Sequence, residues 1–138
     1  MEKNNQVEQK YAELQGLQQK LNQLQQQISI FNSQVTDFRK LNQDLKDLKE
    51  VKANTETLSS IGAGIFVKSE LKDSKKVIMN VGANTFVTKS IDEATNLVEK
   101  QIQEIEKIQK ECELSFQETI IHAQKLEQEV MALTAKNK

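Results

Sequence analysis

Apolar residues recur every seven positions on both sides of a central segment, and this repeat restricts the fold more than any other feature. In the N-terminal half, two series keep this spacing over several heptads: Val7, Leu14, Leu21, Ile28 and Val35, and Leu17, Leu24, Phe31, Phe38 and Leu45. Two such series form the a and d positions, here called the seam, of a coiled coil. Because proline is absent, a helix can run unbroken from Asn5 to about Asn54. A helix of this kind needs a partner along its seam.

The C-terminal part of the chain carries a matching repeat. Ser90 and Glu93 form a capping box, which predicts that a second helix begins there and runs to about Ala135. Its seam consists of Ile91, Val98, Ile105, Cys112, Thr119, Leu126 and Leu133, with a companion series of Thr95, Ile102, Gln109, Phe116, Ala123 and Val130. Two helices of matching length should fold back on each other in antiparallel orientation. This register places Phe31 near Cys112–Phe116 and brings the two chain termini together at one tip.

The seam of the first helix has one irregularity. Leu41 and Leu48 lie outside it, whereas the polar residue Asn42 falls on it. This departure predicts a local change in the winding of the two helices.

The spacing of apolar residues becomes strand-like in the central segment, Ile61–Glu93. We predict two β-hairpins, Leu58–Leu71 and Val77–Lys89, separated by a polar turn. Gly62-Ala63-Gly64 and Gly82-Ala83-Asn84 supply the tight turns inside the hairpins.

The predicted fold is α+β and mostly α: a long antiparallel two-helix coiled coil with two central β-hairpins at one end. We expect one domain over residues 1–138. Its N-terminal arm covers residues 1–57, its hairpin body residues 58–89 and its C-terminal arm residues 90–138.

Apolar residues occupy both faces of the predicted strands. A hairpin with two apolar faces cannot bury them by itself, and its edge strands leave backbone groups unpaired. We therefore expect several such units to assemble into a shared barrel or sandwich. The expected interface residues are Ile65, Phe66, Val67, Leu71, Val77, Ile78, Met79, Val81, Phe86 and Val87.

Further apolar residues lie at the expected tip, where the helix ends meet. A flexible methionine among them suits weak contacts with other apolar chains. The candidate residues for binding unfolded polypeptide are Val7, Tyr11, Leu14, Val130, Met131 and Leu133. Extra packing between the arms, or fraying of the helix ends, accounts for these residues equally well. Leu114 and Ile121 are interpreted as ordinary surface residues on the outer face.

Composition excludes several classes of function. A formal net charge of −1 gives no bulk field for nucleic acid or an anionic membrane. The single cysteine rules out an intrachain disulfide and fits a reducing compartment. Residues 1–10 carry no apolar signal-peptide core, and no apolar run reaches the roughly 18 residues that cross a bilayer. We expect a cytoplasmic protein that binds neither nucleic acid nor membrane.

The residues that could carry catalysis have no suitable companions. His122 is the single histidine and has no metal ligands at the right spacing, and Cys112 lies on the seam as a small apolar residue. Gly62-Ala63-Gly64 lacks the third glycine and the following helix of a dinucleotide loop. We predict no enzymatic activity, no metal and no cofactor.

In the central segment the sequence resembles the prefoldin α-class subunit. Residues Ile61–Lys68, followed by Glu70–Asp73, resemble the first hairpin of that family. Lys76-Val77-Ile78 with Val81-Gly82-Ala83 resembles the second, and Lys89–Ala94 resembles the exit into the second helix. Four strands point to the α class, since the β class has one hairpin. The compact length and short tails resemble archaeal members.

The resemblance implies a function and a set of partners. Two α-class chains and four β-class chains would form a hexamer whose coiled-coil arms bind unfolded polypeptide without ATP and pass it to a group II chaperonin. The sequence leaves an alternative open, a structural coiled-coil spacer or filament-forming relative in which the same hairpins join subunits into fibres.

Overall fold

The computed structural model describes residues 2–135, so Met1 and residues 136–138 of the predicted arms lie outside it. The elements are α1 (Glu2–Leu48), β1 (Thr55–Gly62), β2 (Ile65–Leu71), β3 (Lys76–Asn80), β4 (Phe86–Ser90) and α2 (Ile91–Ala135). The fold is mostly helical α+β, with two long antiparallel helices and two β-hairpins between them in the sequence. The predicted fold class is confirmed.

The seam predicted from the heptads is the side of each helix that is covered. All of its members are buried or half-buried in both helices, and Ile91, Val98, Ile102, Leu126 and Val130 are among the most buried. Leu41, which departs from the repeat, is 41% exposed. The two helices therefore stabilise each other along the predicted stripe, as a long amphipathic helix requires.

The chain divides into two compact units, and the first pairs residues 1–34 with residues 105–138. Among its described residues, the start of α1 runs antiparallel to the end of α2. Lys10 Nζ lies 2.6 Å from Glu129 Oε2, Glu13 Oε1 lies 3.4 Å from His122 Nε2, and Gln27 Oε1 lies 3.8 Å from Cys112 Sγ.

The predicted helix register agrees with the described contacts to within about one turn. Asn32 contacts Gln109 and Gln27 contacts Cys112, so Phe31 lies beside the start of the predicted Cys112–Phe116 segment. Helix α1 stops at Leu48, before the predicted end near Asn54.

The second unit, residues 35–104, contains the hairpins and the adjoining helix ends. Beyond Leu48 the chain tightens into turns, and Asn54 adopts a positive φ of 66° while its N–H donates to Leu71 O over 2.6 Å. Strand β1 thus begins at Thr55, three residues before the predicted Leu58. The strand begins earlier because Thr55 pairs with Leu71, the last residue of β2, so the pairing of the two strands extends back to Thr55.

Both predicted hairpins are present as antiparallel pairs. Strand β1 pairs with β2, with a shift in register between Ser60 and Gly62, and β3 pairs with β4 from Lys76–Ser90 to Asn80–Phe86. The predicted cap is also confirmed, since the Glu93 N–H donates to Ser90 Oγ over 3.1 Å. The Glu93 carboxylate lies 3.8 Å from Lys89 Nζ instead of reaching back to Ser90.

Two glycines in different backbone conformations give the first testable prediction. Gly82 has a φ of 115°, where an L side chain is strained even though the space around it is open. Gly82→Ala is expected to lower the free energy of unfolding by about 1–3 kcal/mol. Gly16→Ala, in the middle of α1 and also in open space, is expected to raise it by about 1 kcal/mol. Urea unfolding followed by circular dichroism measures the free energy of unfolding of each variant. A change of the same sign in both variants would contradict the prediction.

Candidate interaction surfaces

The two hairpins expose an apolar surface, here called the hairpin surface. Phe66 is 57% exposed, Ile78 73% and Phe86 62%. Its full exposed membership is Leu58, Ile61, Ile65, Phe66, Val67, Ile78, Val81 and Phe86. The other predicted interface residues, Leu71, Val77, Met79 and Val87, are half-buried. A concentration of large apolar side chains in so short a segment is characteristic of an interaction site.

The strand register explains how the first hairpin distributes these residues. Phe66 pairs with Ser60, two residues from Leu58, so Leu58 and Phe66 share one face. Leu58 and Ile61 were missing from the predicted interface, although alternation from Leu58 to Ser60 would have placed Leu58 beside Phe66. The hairpin therefore exposes more apolar residues than the predicted interface includes.

The opposite face of this hairpin combines apolar and hydroxyl side chains. Ile65 and Val67 lie on it, and Ser69 Oγ is 2.7 Å from both Thr57 Oγ1 and Ser59 Oγ. These hydroxyl pairs tie the two strands together and satisfy each other. This face is thus partly polar but uncharged, whereas the other face combines Phe66 and Leu58 with the charged pair Glu56 and Lys68.

The hairpins also leave strand edges unpaired. Strands β1 and β2 form one two-stranded sheet, and β3 and β4 form another. Within the described residues each strand thus has one edge without a neighbouring strand. Isolated two-stranded sheets are marginal in water, and free edges invite pairing with another chain.

A second candidate surface lies where the first turns of α1 meet the last turns of α2; it is called the paired-end surface. Its predicted members are Val7, Tyr11, Leu14, Val130, Met131 and Leu133. Tyr11 is 53% exposed and Met131 69% exposed. Val7, Leu14 and Leu133 are half-buried, whereas Val130 is only 5% exposed. Tyr11 and Met131 are therefore the two members that offer most of their side chains to another molecule.

An ion pair beside this surface gives a prediction about pH. The Lys10 ammonium donates a hydrogen bond to Glu129, and with its charge this lowers the pKa of Glu129 below its ordinary value of 4.5. Since the folded pKa is the lower one, the stabilisation is complete above pH 4.5 and is lost as pH falls through the lowered value. The effect should be small, because both side chains are partly exposed.

Glu129→Gln is the matched variant for this ion pair. We expect the wild-type chain to melt slightly above the variant at pH 7 and the two melting temperatures to converge in acid. Thermal melts at a series of pH values measure the difference. A difference that stays constant from pH 7 to strongly acidic solution would contradict the assignment.

Scattered apolar residues also lie on the outer faces of the helices. Leu114 and Ile121, assigned to the outer face from the sequence, are 60% and 64% exposed. Ile30 and Ile108 are exposed as well and were not singled out from the sequence, because they fall between seam positions. Isolated apolar residues on a surface are common in proteins.

Among the described residues, His122 and Cys112 have separate contacts. His122 is exposed and faces Glu13 across the helix pair, and Cys112 is a half-buried free thiol beside Gln27. Among residues 2–135, no group of histidine, cysteine, aspartate and glutamate is arranged to hold a metal ion. Over the same range, neither helix has a stretch long and apolar enough to cross a bilayer.

One cleft lies where α2 begins. It has a volume of about 410 Å³ and is lined by Lys49, Lys75, Ser90, Ile91 and Asp92. Lys49 and Asp92 form an ion pair with each other, and Ser90 caps the helix, so these groups already have structural partners.

Residues 17–136 match the family model for the prefoldin subunit. The chain is similar to prefoldin subunit alpha of Archaeoglobus fulgidus, with 28% identity over 96% of each chain. It is also 35% identical to prefoldin subunit alpha of Pyrococcus horikoshii, over 68% of this chain and 62% of that protein. A putative prefoldin subunit alpha of Aquifex aeolicus is 28% identical over 86% of this chain and 79% of that protein.

A solved structure has a similar fold. It is a chain from the cryo-EM structure of filamentous PFD from Methanocaldococcus jannaschii, which matches with a TM-score of 0.75. The match covers 83% of this chain and 95% of that chain at 20% sequence identity. At this identity the likeness concerns the fold alone, namely two long helices with hairpins between them.

Proposed function

This chain belongs to the prefoldin family, in its α-subunit class, and from that premise we propose that it works as a subunit of an ATP-independent holdase. Prefoldin subunits form a family of non-enzymatic chaperones that act in complex with other prefoldin subunits. In the proposed function, the chain captures unfolded polypeptide and delivers it to a group II chaperonin, and we expect it in the cytoplasm. The observation that carries the proposal is the hairpin surface, with its eight exposed large apolar residues.

The hairpin surface is proposed to join this chain to other prefoldin subunits. Full burial of a Phe or Leu side chain stabilises a complex by roughly 1.5–3 kcal/mol relative to leaving it exposed. Several such residues on one hairpin are enough to offset an association cost of about 4–15 kcal/mol. Unpaired strand edges add backbone hydrogen bonds to the same interface. In the complex we propose, two copies of this chain and four β-class chains share one barrel body.

The paired-end surface is proposed to hold the unfolded client. Tyr11 and Met131 offer apolar area without a pocket, which suits weak binding of many different chains. One such contact is weak, but several arms that engage one polypeptide bind it with avidity. A client held in this way can leave when a chaperonin offers more apolar surface.

Reconstitution with a β-class chain tests the proposed function. The two purified chains are mixed, and native mass spectrometry measures the mass of the product. We expect one discrete complex with two copies of this chain and four of its partner, and suppression of client aggregation in the absence of ATP. A chain that stays monomeric in dilute solution with the partner present would refute the proposed assembly.

A filament-forming spacer is the second candidate function. The specific observation in its favour is the fold, which resembles that of a chain described as part of filamentous PFD. Hairpins with open edges can join subunits end to end as well as in a closed ring. Electron microscopy of this chain, alone and mixed with its β-class partner, distinguishes the two functions. Discrete particles with protruding arms support the holdase, and open-ended fibres support the spacer.

A further inference from the structure

Asn42 is a polar residue buried in the seam of α1. It is 8% exposed, and its Nδ2 donates a hydrogen bond to the backbone carbonyl of Thr95 on α2 over 3.3 Å. Its Oδ1 is buried without a hydrogen-bond partner. A buried amide oxygen that has lost its water destabilises the fold. An apolar residue at this position would avoid the free-energy cost of burying an unpaired amide oxygen. The presence of asparagine therefore suggests that it serves a purpose other than stability.

The rest of the α1 seam does little to fix the alignment of the two helices. Its apolar residues repeat every seven positions from Val7 to Phe38, so after a slide by one heptad this part of α1 presents the same kind of apolar stripe to α2. The ion pair Lys10–Glu129 between the helices is partly exposed, and so is the pair that Lys49, just beyond α1, forms with Asp92. Partly exposed ion pairs of this kind stabilise one alignment over another only weakly. A residue that distinguishes one alignment from the next is therefore needed.

The environment of Asn42 makes this distinction. Thr95 and its neighbour Ala94 have short side chains, which lets the asparagine amide approach the backbone carbonyl. A slide of one heptad in one direction would place Asn42 against Ile102, which is completely buried and bulkier. A slide in the other direction would place it beside Thr88, which lies in strand β4 and not in the helix. In the first case the amide would lose its acceptor in a buried setting, and in the second it would have no helix opposite it.

We propose that Asn42 determines the register of the α1–α2 pair through its hydrogen bond to the Thr95 carbonyl. A buried asparagine in a coiled coil commonly excludes alternative alignments at a cost in stability. Replacing Asn42 with an apolar residue removes this penalty from the slipped alignments as well as from the native one. The variant is expected to populate more than one register.

The native cysteine provides a reporter for the register. In the native alignment Cys112 faces Gln27, so Gln27→Cys places two thiols side by side. Lys20→Cys and Gln34→Cys lie one heptad away on either side and report the two slipped alignments. Each reporter is introduced into the full chain with Asn42, Asn42→Leu or Asn42→Val. Mild oxidation and mass spectrometry then measure the yield of intrachain disulfide.

With Asn42 in place, we expect only the Gln27→Cys reporter to cross-link efficiently. With Asn42→Leu or Asn42→Val, the disulfide yield of the Gln27→Cys reporter should fall about twofold or more. Lys20→Cys or Gln34→Cys should then gain a cross-link, because registers of similar energy share the population. Thr95→Ala is the control, which should keep the native pattern because the acceptor is a backbone carbonyl.

Either slipped cross-link in either variant, above its yield with Asn42, supports the proposal. It is wrong if both apolar variants cross-link only through Gln27→Cys at the parent yield. It is also wrong if circular dichroism shows that both variants have lost their helices, since Asn42 would then be required for folding itself.

Discussion

Phe66→Asp is expected to dissociate the complex that this chain forms with its partner subunits. Phe66 is 57% exposed in the isolated chain and shares one face of the first hairpin with Leu58. In the proposed complex this face is covered. The variant would lose the burial of an aromatic ring and would place a carboxylate in a dry interface. Together these effects should weaken association by at least about 100-fold, or about 3 kcal/mol.

Light scattering of the reconstituted complex measures this loss as a fall in mass. His122→Ala is the matched control, because His122 is similarly exposed but lies on α2 away from the hairpin residues in sequence. The control should leave the mass unchanged.

The variant Ile78→Asp tests the second hairpin in the same way, since Ile78 is 73% exposed. Equal masses for the Phe66 and His122 variants would show that the hairpin surface is not the interface.

The heptad repeat predicted the helices and their covered side because it reports a local property. The heptad position of each residue determines which side of the helix it lies on. An error at one position therefore does not change the prediction for the others. The capping box located the start of α2 for the same reason, since Ser90 and Glu93 are three residues apart and contact each other directly. Features that depend on neighbours within about one turn are therefore readable from the sequence.

The end of α1 could not be predicted in this way, because it depends on a distant partner. Residues from Lys49 to Asn54 continue a polar, helix-compatible pattern in the sequence. In the structure the helix stops at Leu48, since Thr55 has to pair with Leu71 and Asn54 donates to the Leu71 carbonyl. Tertiary pairing thus overrides local helix preference.

The exposed surfaces were predicted only in part. The alternation of the strands identified Phe66, Ile78 and Phe86, whose exposure the structure gives directly. At the paired ends, membership in the seam did not separate Met131, which is 69% exposed, from Val130, which is 5% exposed. Neighbouring residues on a helix point about 100° apart, so a shift of one position moves a side chain from the covered side to the open side. That distinction requires the actual packing of the helices.

The double variant Tyr11→Ser with Met131→Gln is expected to lose most of the protection that this chain gives to unfolded clients. Both side chains are largely exposed, so the substitutions remove apolar area without opening the helix pair. Burial of each side chain against a client contributes about 1–2 kcal/mol, allowing for the part already covered. When several arms hold one client, loss of these contacts should raise the concentration that halves client aggregation by about tenfold.

The scattering of an aggregating client, followed at increasing concentrations of the reconstituted complex, measures this change. Leu114→Gln with Ile121→Gln is the matched control, because these residues are 60% and 64% exposed on α2 but do not belong to the paired-end surface. Light scattering should give the same mass for both double variants, so a difference in protection cannot come from disassembly. If the two double variants protect clients equally well, apolar area anywhere on the helices is sufficient and the paired-end surface is not the binding site. A loss confined to the Tyr11 and Met131 variant would place the client at the ends of the helix pair, because total exposed apolar area falls similarly in both variants.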